Sequence, residues 1–129
     1  MKKIYIAGAY SSDNVLGVLD NIRKGLRAST EIFLAGFAIF CPWADHLFNL
    51  QLREGETLTV QNFYDYSIEW LKVSDIMVLL PGWENSTGTK KEIEIAKSLN
   101  IPVYSYEDFK KEFMEKPNAN KQEGFGAGI

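Results

Sequence analysis

The run "DIMVLL" (residues 75–80) carries no polar alternation. A strand with one face in water alternates apolar and polar residues, so an unbroken apolar run of this length marks a strand covered on both faces, as in parallel sheets. Three further short runs read as strands: "KKIYIAG", ending in Gly8, "FAIFCP", closed by Pro42, and "IPVYSY". Helical segments separate them. Residues 14–36 bring Val15, Leu16, Leu19, Ile22 and Leu26 to one side, with Asp13 as N-cap and Gly36 as stop. Residues 43–58 fit a short helix and a loop. Residues 60–74 form a helix behind a Thr59 cap, with Phe63, Tyr66, Ile68 and Leu71 facing inward. Residues 89–99 form the next helix, and "EDFKKEFMEK" a last short one with Ser105 near its cap. Strands alternating with helices imply an α/β domain with a parallel sheet and right-handed crossovers.

At 129 residues the chain has the length of one domain. The domain is expected over residues 1–115. The segment "KPNANKQEGFGAGI" (116–129) reads as an irregular tail. A net charge of −3 argues against a binder of nucleic-acid polymers, which works by phosphate attraction. A single cysteine, Cys41, excludes an internal disulfide and fits a reducing, cytoplasmic setting. With one His and one Cys, a zinc site is not expected, and no motif asks for another metal or cofactor. The opening "MKKIYIAGAY" has too short an apolar run for a signal peptide, and no stretch reaches the roughly 20 apolar residues of a membrane span.

In a parallel sheet, ligands bind outside the carboxyl ends of the strands. Three loops should therefore share one rim: Gly8–Ser12, Cys41–His46 and Pro81–Gly88. The first, "AGAYSS", is not the dinucleotide fingerprint GxGxxG, and no phosphate-binding GxxxxGK[ST] occurs.

The helix after the third loop holds an acid where an apolar residue belongs. At about 100° per residue, Ile93, Ile95, Ala96 and Leu99 fall on both sides of Glu92, which sits at the middle of the buried face. A carboxylate on a core face is costly unless partnered. Two readings account for it. Thr89 and Glu92 fit a capping box, with Thr89 as N-cap. Alternatively, a carboxylate held at the first turn of a helix, at the rim where strands end, is placed to act as nucleophile or base.

Candidate partners lie on the same rim. Tyr5, in the first strand, can hold Glu92 through its hydroxyl if that strand neighbours "DIMVLL", or it is a plain core tyrosine. Ser86 and Gly88 precede the helix and let backbone N–H groups and a hydroxyl approach an anion. Gly8, Tyr10 and Ser11 follow the first strand. His46 is the only imidazole, and Trp43 and Trp83 flank the rim, where a tryptophan stacks on a planar ring or simply packs.

With "IYIAGAY" at the start and "SDIMVLLPGWENSTGTKKEIEIAKSLNIPVY" later, the chain resembles the nucleoside 2-deoxyribosyltransferase family and its relatives that hydrolyse the N-glycosidic bond of nucleoside 5′-monophosphates. The likeness spans roughly residues 2 to 106 and rests on the combination of motifs. It implies a flavodoxin-like (Rossmann-like) doubly wound sheet, Glu92 as nucleophile, Tyr5 as the residue that orients it, and no cofactor. It also implies a homodimer or homotetramer, because family sites are completed by a neighbouring subunit. Two departures stand out. Family members carry an Asp in the helix before the "SDIMVLL" strand; Ser67 stands there in this chain, and Asp65 points elsewhere on the helix. The acid that helps the base leave is therefore unassigned. Six residues before the Glu, where transferases tend to carry an acid and monophosphate hydrolases a Ser, this chain has Ser86, which tolerates a phosphate. The expected substrate is a nucleotide or (deoxy)nucleoside, cleaved with water or a second base as acceptor. The alternative is a module that binds a nucleotide without cutting it.

Overall fold

The computed structural model describes residues 1–115; the tail expected over 116–129 lies outside them. Four parallel strands form one sheet: β1 (Lys3–Ala7), β2 (Ala38–Phe40), β3 (Ile76–Leu79) and β4 (Val103–Ser105), in the order β2-β1-β3-β4. The helices are α1 (Val15–Leu34), α2 (Val60–Lys72), α3 (Thr87–Ser98) and α4 (Tyr106–Phe109), the last continuing as a wider turn over Lys110–Met114. This is the flavodoxin-like α/β architecture. Among the described residues no helix is long and apolar enough to cross a membrane.

The central strands β1 and β3 are covered on both faces, which explains their continuous apolar sequence. Side chains alternate across the sheet. Ile4, Ile6, Ile76 and Val78 pack with Ala28 and Ile32 of α1 and Phe109 of α4. Tyr5, Ala7, Met77 and Leu79 face the other way, against Leu71 of α2 and Ile93 and Ala96 of α3. Strand parity thus sends the Tyr5 side chain to the face that α3 covers. The register brings Tyr5 beside Met77, so the first strand does neighbour "DIMVLL".

Helix boundaries differ from expectation in informative ways. Asn14, not Asp13, caps α1, its side chain accepting from the Gly17 N–H at 2.8 Å. Gly36 does stop it, with φ 99, a conformation glycine adopts without strain. Thr59 caps α2 as expected, with Asn62 completing a capping box. Tyr66 is turned outward, 41% exposed, and packs edge-on with the half-exposed Trp70. The ambiguous 43–58 segment forms a long 3₁₀ helix, Pro42–Gln51, and then a loop.

Candidate active site

A cavity of about 500 Å³ opens at the carboxyl ends of β1 and β3. This is where the sheet order reverses direction, with the chain passing to β2 on one side of β1 and to β3 on the other. The loop after β1, the 3₁₀ helix after β2, the start of α2, and the loop and first turns of α3 wall it. It brings together Tyr5, Gly8, Tyr10, Ser11, His46, Ser86, Gly88 and Glu92. Trp83 is not among its lining residues. It sits in a short 3₁₀ turn (Trp83–Asn85) and packs against the core on the α3 side. Trp43 lines the cavity instead, buried, its indole N–H donating to the Ala9 carbonyl at 3.1 Å.

The N-cap of α3 lies three residues earlier than its polar pattern suggests. Ser86 is the N-cap, accepting from the Thr89 N–H at 3.1 Å. Thr89 lies inside the helix, fully buried, its hydroxyl 3.0 Å from Ser86 Oγ and 3.4 Å from the Gly8 carbonyl. The capping-box pairing of Thr89 with Glu92 is therefore not formed. Glu92 also lies beyond the first turn, out of reach of the free N–H groups that its sequence position seemed to offer. It is nonetheless on the buried face, only 9% exposed. Tyr5, wholly buried, donates its hydroxyl to Glu92 Oε2. Burial pushes the Glu92 carboxyl up to about 7. Near neutral pH it therefore exists in both protonation states.

Around this pair the backbone approaches closely. At Gly88 a Cβ would stand 2.0 Å from the Tyr64 hydroxyl, so only glycine admits that ring against the start of α3. At Gly8 a Cβ would meet both Leu80 and Trp43 at 3.2 Å. The loop after β1 is tied down by the Asn21 amide, which donates to the carbonyls of Tyr10 and Ser11 at 3.1 and 3.3 Å. The Tyr10 hydroxyl and His46 Nδ1 share a 2.5 Å hydrogen bond across two loops.

One acid in the cavity was missed by sequence reasoning. Asp45 is only 9% exposed and lines the same space as Glu92. Desolvation pushes its carboxyl up to about 6. With three residues per turn, a 3₁₀ helix stacks Pro42 on Asp45, and Trp43 on His46 and Asn49; all five line the cavity. The signal in the sequence is helical spacing, which at about 100° per residue also sets Asp45 on the side of His46 and Asn49. Ser67, where the family Asp was expected, is buried and lines the cavity too. Among the described residues no group of His, Cys, Asp and Glu side chains is arranged to hold a metal ion.

The model of one family, described as "Domain of unknown function (DUF4406)", matches residues 2–105. No curated protein matches the chain. Among solved structures, a 2-deoxyribosyltransferase from the psychrotolerant bacterium Bacillus psychrosaccharolyticus superposes with a TM-score of 0.54. It is 23% identical, over 80% of this chain and 70% of that one. At that identity the likeness speaks to the fold.

Proposed function

This chain belongs to the DUF4406 family, and we propose that it cleaves the N-glycosidic bond of a nucleotide or (deoxy)nucleoside, with Glu92 as nucleophile. The observation that carries this reading is the buried Tyr5–Glu92 pair in a cavity at the carboxyl ends of β1 and β3. Glu92 makes no capping contact that would explain its burial. The deoxyribosyl transfer named for the solved neighbour is chemistry of this kind.

The steps follow retaining glycosidase logic. The Glu92 carboxylate attacks the anomeric carbon as the bond to the base breaks, through an oxocarbenium-like transition state. Positive charge growing on the sugar favours the ionised carboxylate, and the Tyr5 hydroxyl donated to Oε2 favours it further. A glycosyl ester of Glu92 forms. Water then releases the sugar, or a second base captures it. Ser86 supports a phosphorylated substrate. Its oxygen accepts the Thr89 N–H, and its own proton is left to donate when the Thr89 hydroxyl turns to it. Gly88 beside it exposes backbone N–H groups at the helix start.

Incubation with the common nucleotides and deoxynucleotides, with and without a second free base, followed by chromatography for released base, tests this. Wild type should release base, and Glu92→Ala should lose turnover while keeping substrate binding. Full activity in Glu92→Ala would remove Glu92 from the reaction. A second reading is favoured by Ser67, which leaves a neutral side chain where an acid was expected: a module that binds a nucleotide on the same rim and leaves it intact. Thermal stabilisation by a nucleotide with no base released would select it.

A further inference from the structure

Base departure needs a proton, and with Ser67 in the α2 wall no acid is assigned to supply it. Asp45 stands in the wall formed by the 3₁₀ helix. The 3₁₀ helix that carries it follows β2, whereas α3 with Glu92 follows β3, so the two carboxyl groups enter the cavity from either side of the β1 end. Asp45 is nine-tenths buried, yet no hydrogen bond or ion pair to it occurs among the described residues. A carboxyl on a largely buried residue, open to a cavity and without a protein partner there, is suited to a ligand atom. Besides Glu92, the other titratable side chains lining the cavity are Tyr5, Tyr10, His46 and Tyr64. Tyr5 is committed to Glu92, and Tyr10 and His46 to each other, while the Tyr64 hydroxyl sits against Gly88 on α3, the helix that carries the nucleophile.

Resting on the reading of Glu92 as nucleophile, we propose that Asp45 is the catalytic acid that protonates the departing base and the base that then activates water. In the first step the bond from C1′ to the base nitrogen breaks and its electron pair stays with the base. The Asp45 carboxyl proton passes to the base, and a Glu92 oxygen bonds to C1′. In the second step Asp45, now a carboxylate, takes a proton from water as the water oxygen bonds to C1′. The ester bond breaks, returning Glu92 as carboxylate and Asp45 as acid. Both events occur on the side of the sugar that the base vacates, so one group serves both.

The test compares two leaving groups. Single-turnover base release is measured for the common nucleotide that wild type cleaves fastest and for its counterpart with an activated base, N7-methyl for a purine or 5-fluoro for a pyrimidine. The N7-methyl purine leaves as a neutral base and needs no proton, and the 5-fluoro pyrimidine leaves as a more stable anion and needs one less. Asp45→Asn should slow the ordinary substrate about 100-fold or more and leave the activated one within about tenfold of wild type. Any loss of folded protein lowers both rates alike, so their ratio reports the proton alone; Asp45→Ser, measured in the same way, replaces the amide if that variant does not fold. Equal slowing on both substrates overturns the role of Asp45. So does the leaving-group signature appearing in His46→Gln and not in the Asp45 variants. Failure of the underlying reading looks different: wild type then releases no base, or Glu92→Ala cleaves both substrates at the wild-type rate.

Discussion

Replacing Glu92 by Gln should stabilise the protein at alkaline pH while abolishing turnover. The carboxyl ordinarily titrates at 4.5, and burial raises it to about 7 in the folded chain. Between those values the folded state binds more protons than the unfolded one, so stability falls as pH rises. The loss is complete above about 7 and absent below about 4.5. The gap corresponds to roughly 3 kcal/mol at full ionisation. Gln keeps the shape and can accept from Tyr5, though more weakly than a carboxylate, which returns about 1 kcal/mol. The net gain at pH 8.5 is about 2 kcal/mol, or a Tm higher by roughly 5–10 °C for a domain of this size. At pH 5, where wild type is mostly protonated, the two proteins should melt within about 1 kcal/mol of each other. Calorimetry or urea titration of both proteins from pH 5 to 8.5 measures the difference, in which every other titrating group cancels. A cap residue predicts the reverse: losing a capping side chain costs about 0.5–2 kcal/mol. If Glu92→Gln is the less stable protein at pH 8.5, the buried and desolvated carboxylate does not exist.

Two further outcomes follow from the cavity and its walls. The proposed mechanism needs the Glu92 carboxyl charged and the Asp45 carboxyl protonated, so kcat/KM should peak between about 6, from Asp45, and about 7, from Glu92, with Asp45→Asn losing one limb; a wild-type rate that climbs steadily from pH 5 to 9 contradicts this. Gly25→Ala should cost about 1–3 kcal/mol in urea unfolding, because a Cβ there would stand 2.0 Å from the buried Trp43 ring, and wild-type stability would mean that the ring has room to move.

The sheet and the burial of Glu92 were both legible in the sequence, and for the same reason. Each is a periodicity fact, and periodicity survives without knowledge of what lies across the core. The unbroken "DIMVLL" run required cover on both faces, and it has it. The 3.6-residue period put Glu92 among Ile93 and Ala96, which are buried beside it, although Leu99 is half exposed at the C-cap. What periodicity could not fix was phase at the helix start. Ser86 and Thr89 are each followed three residues later by a plausible partner, so the polar pattern fits either as cap. The backbone decides it: Gly82, at φ 91, turns the chain into the 3₁₀ turn over Trp83–Asn85, which delivers Ser86 to the cap position. That shift of one turn changes the chemistry. A Glu92 at the helix start would be held ionised by free N–H groups, whereas in the second turn burial dominates and raises its affinity for protons.

The remaining site residues depend on pairs far apart in sequence. Trp43 and Trp83 look alike on the chain, both beside a strand end. Trp43 enters because Gly25, on α1, has no side chain to exclude it, whereas Trp83 packs on the α3 face. Asp45 was hidden differently. Projected at about 100° per residue, "PWADHLFN" already sets Asp45, His46 and Asn49 on one side and Ala44, Leu47 and Phe48 on the other. What projection cannot give is the direction in which that polar side turns: it meets the cavity because the segment packs on α1, with Trp43 seated where Gly25 leaves room, and that contact joins residues far apart in the chain.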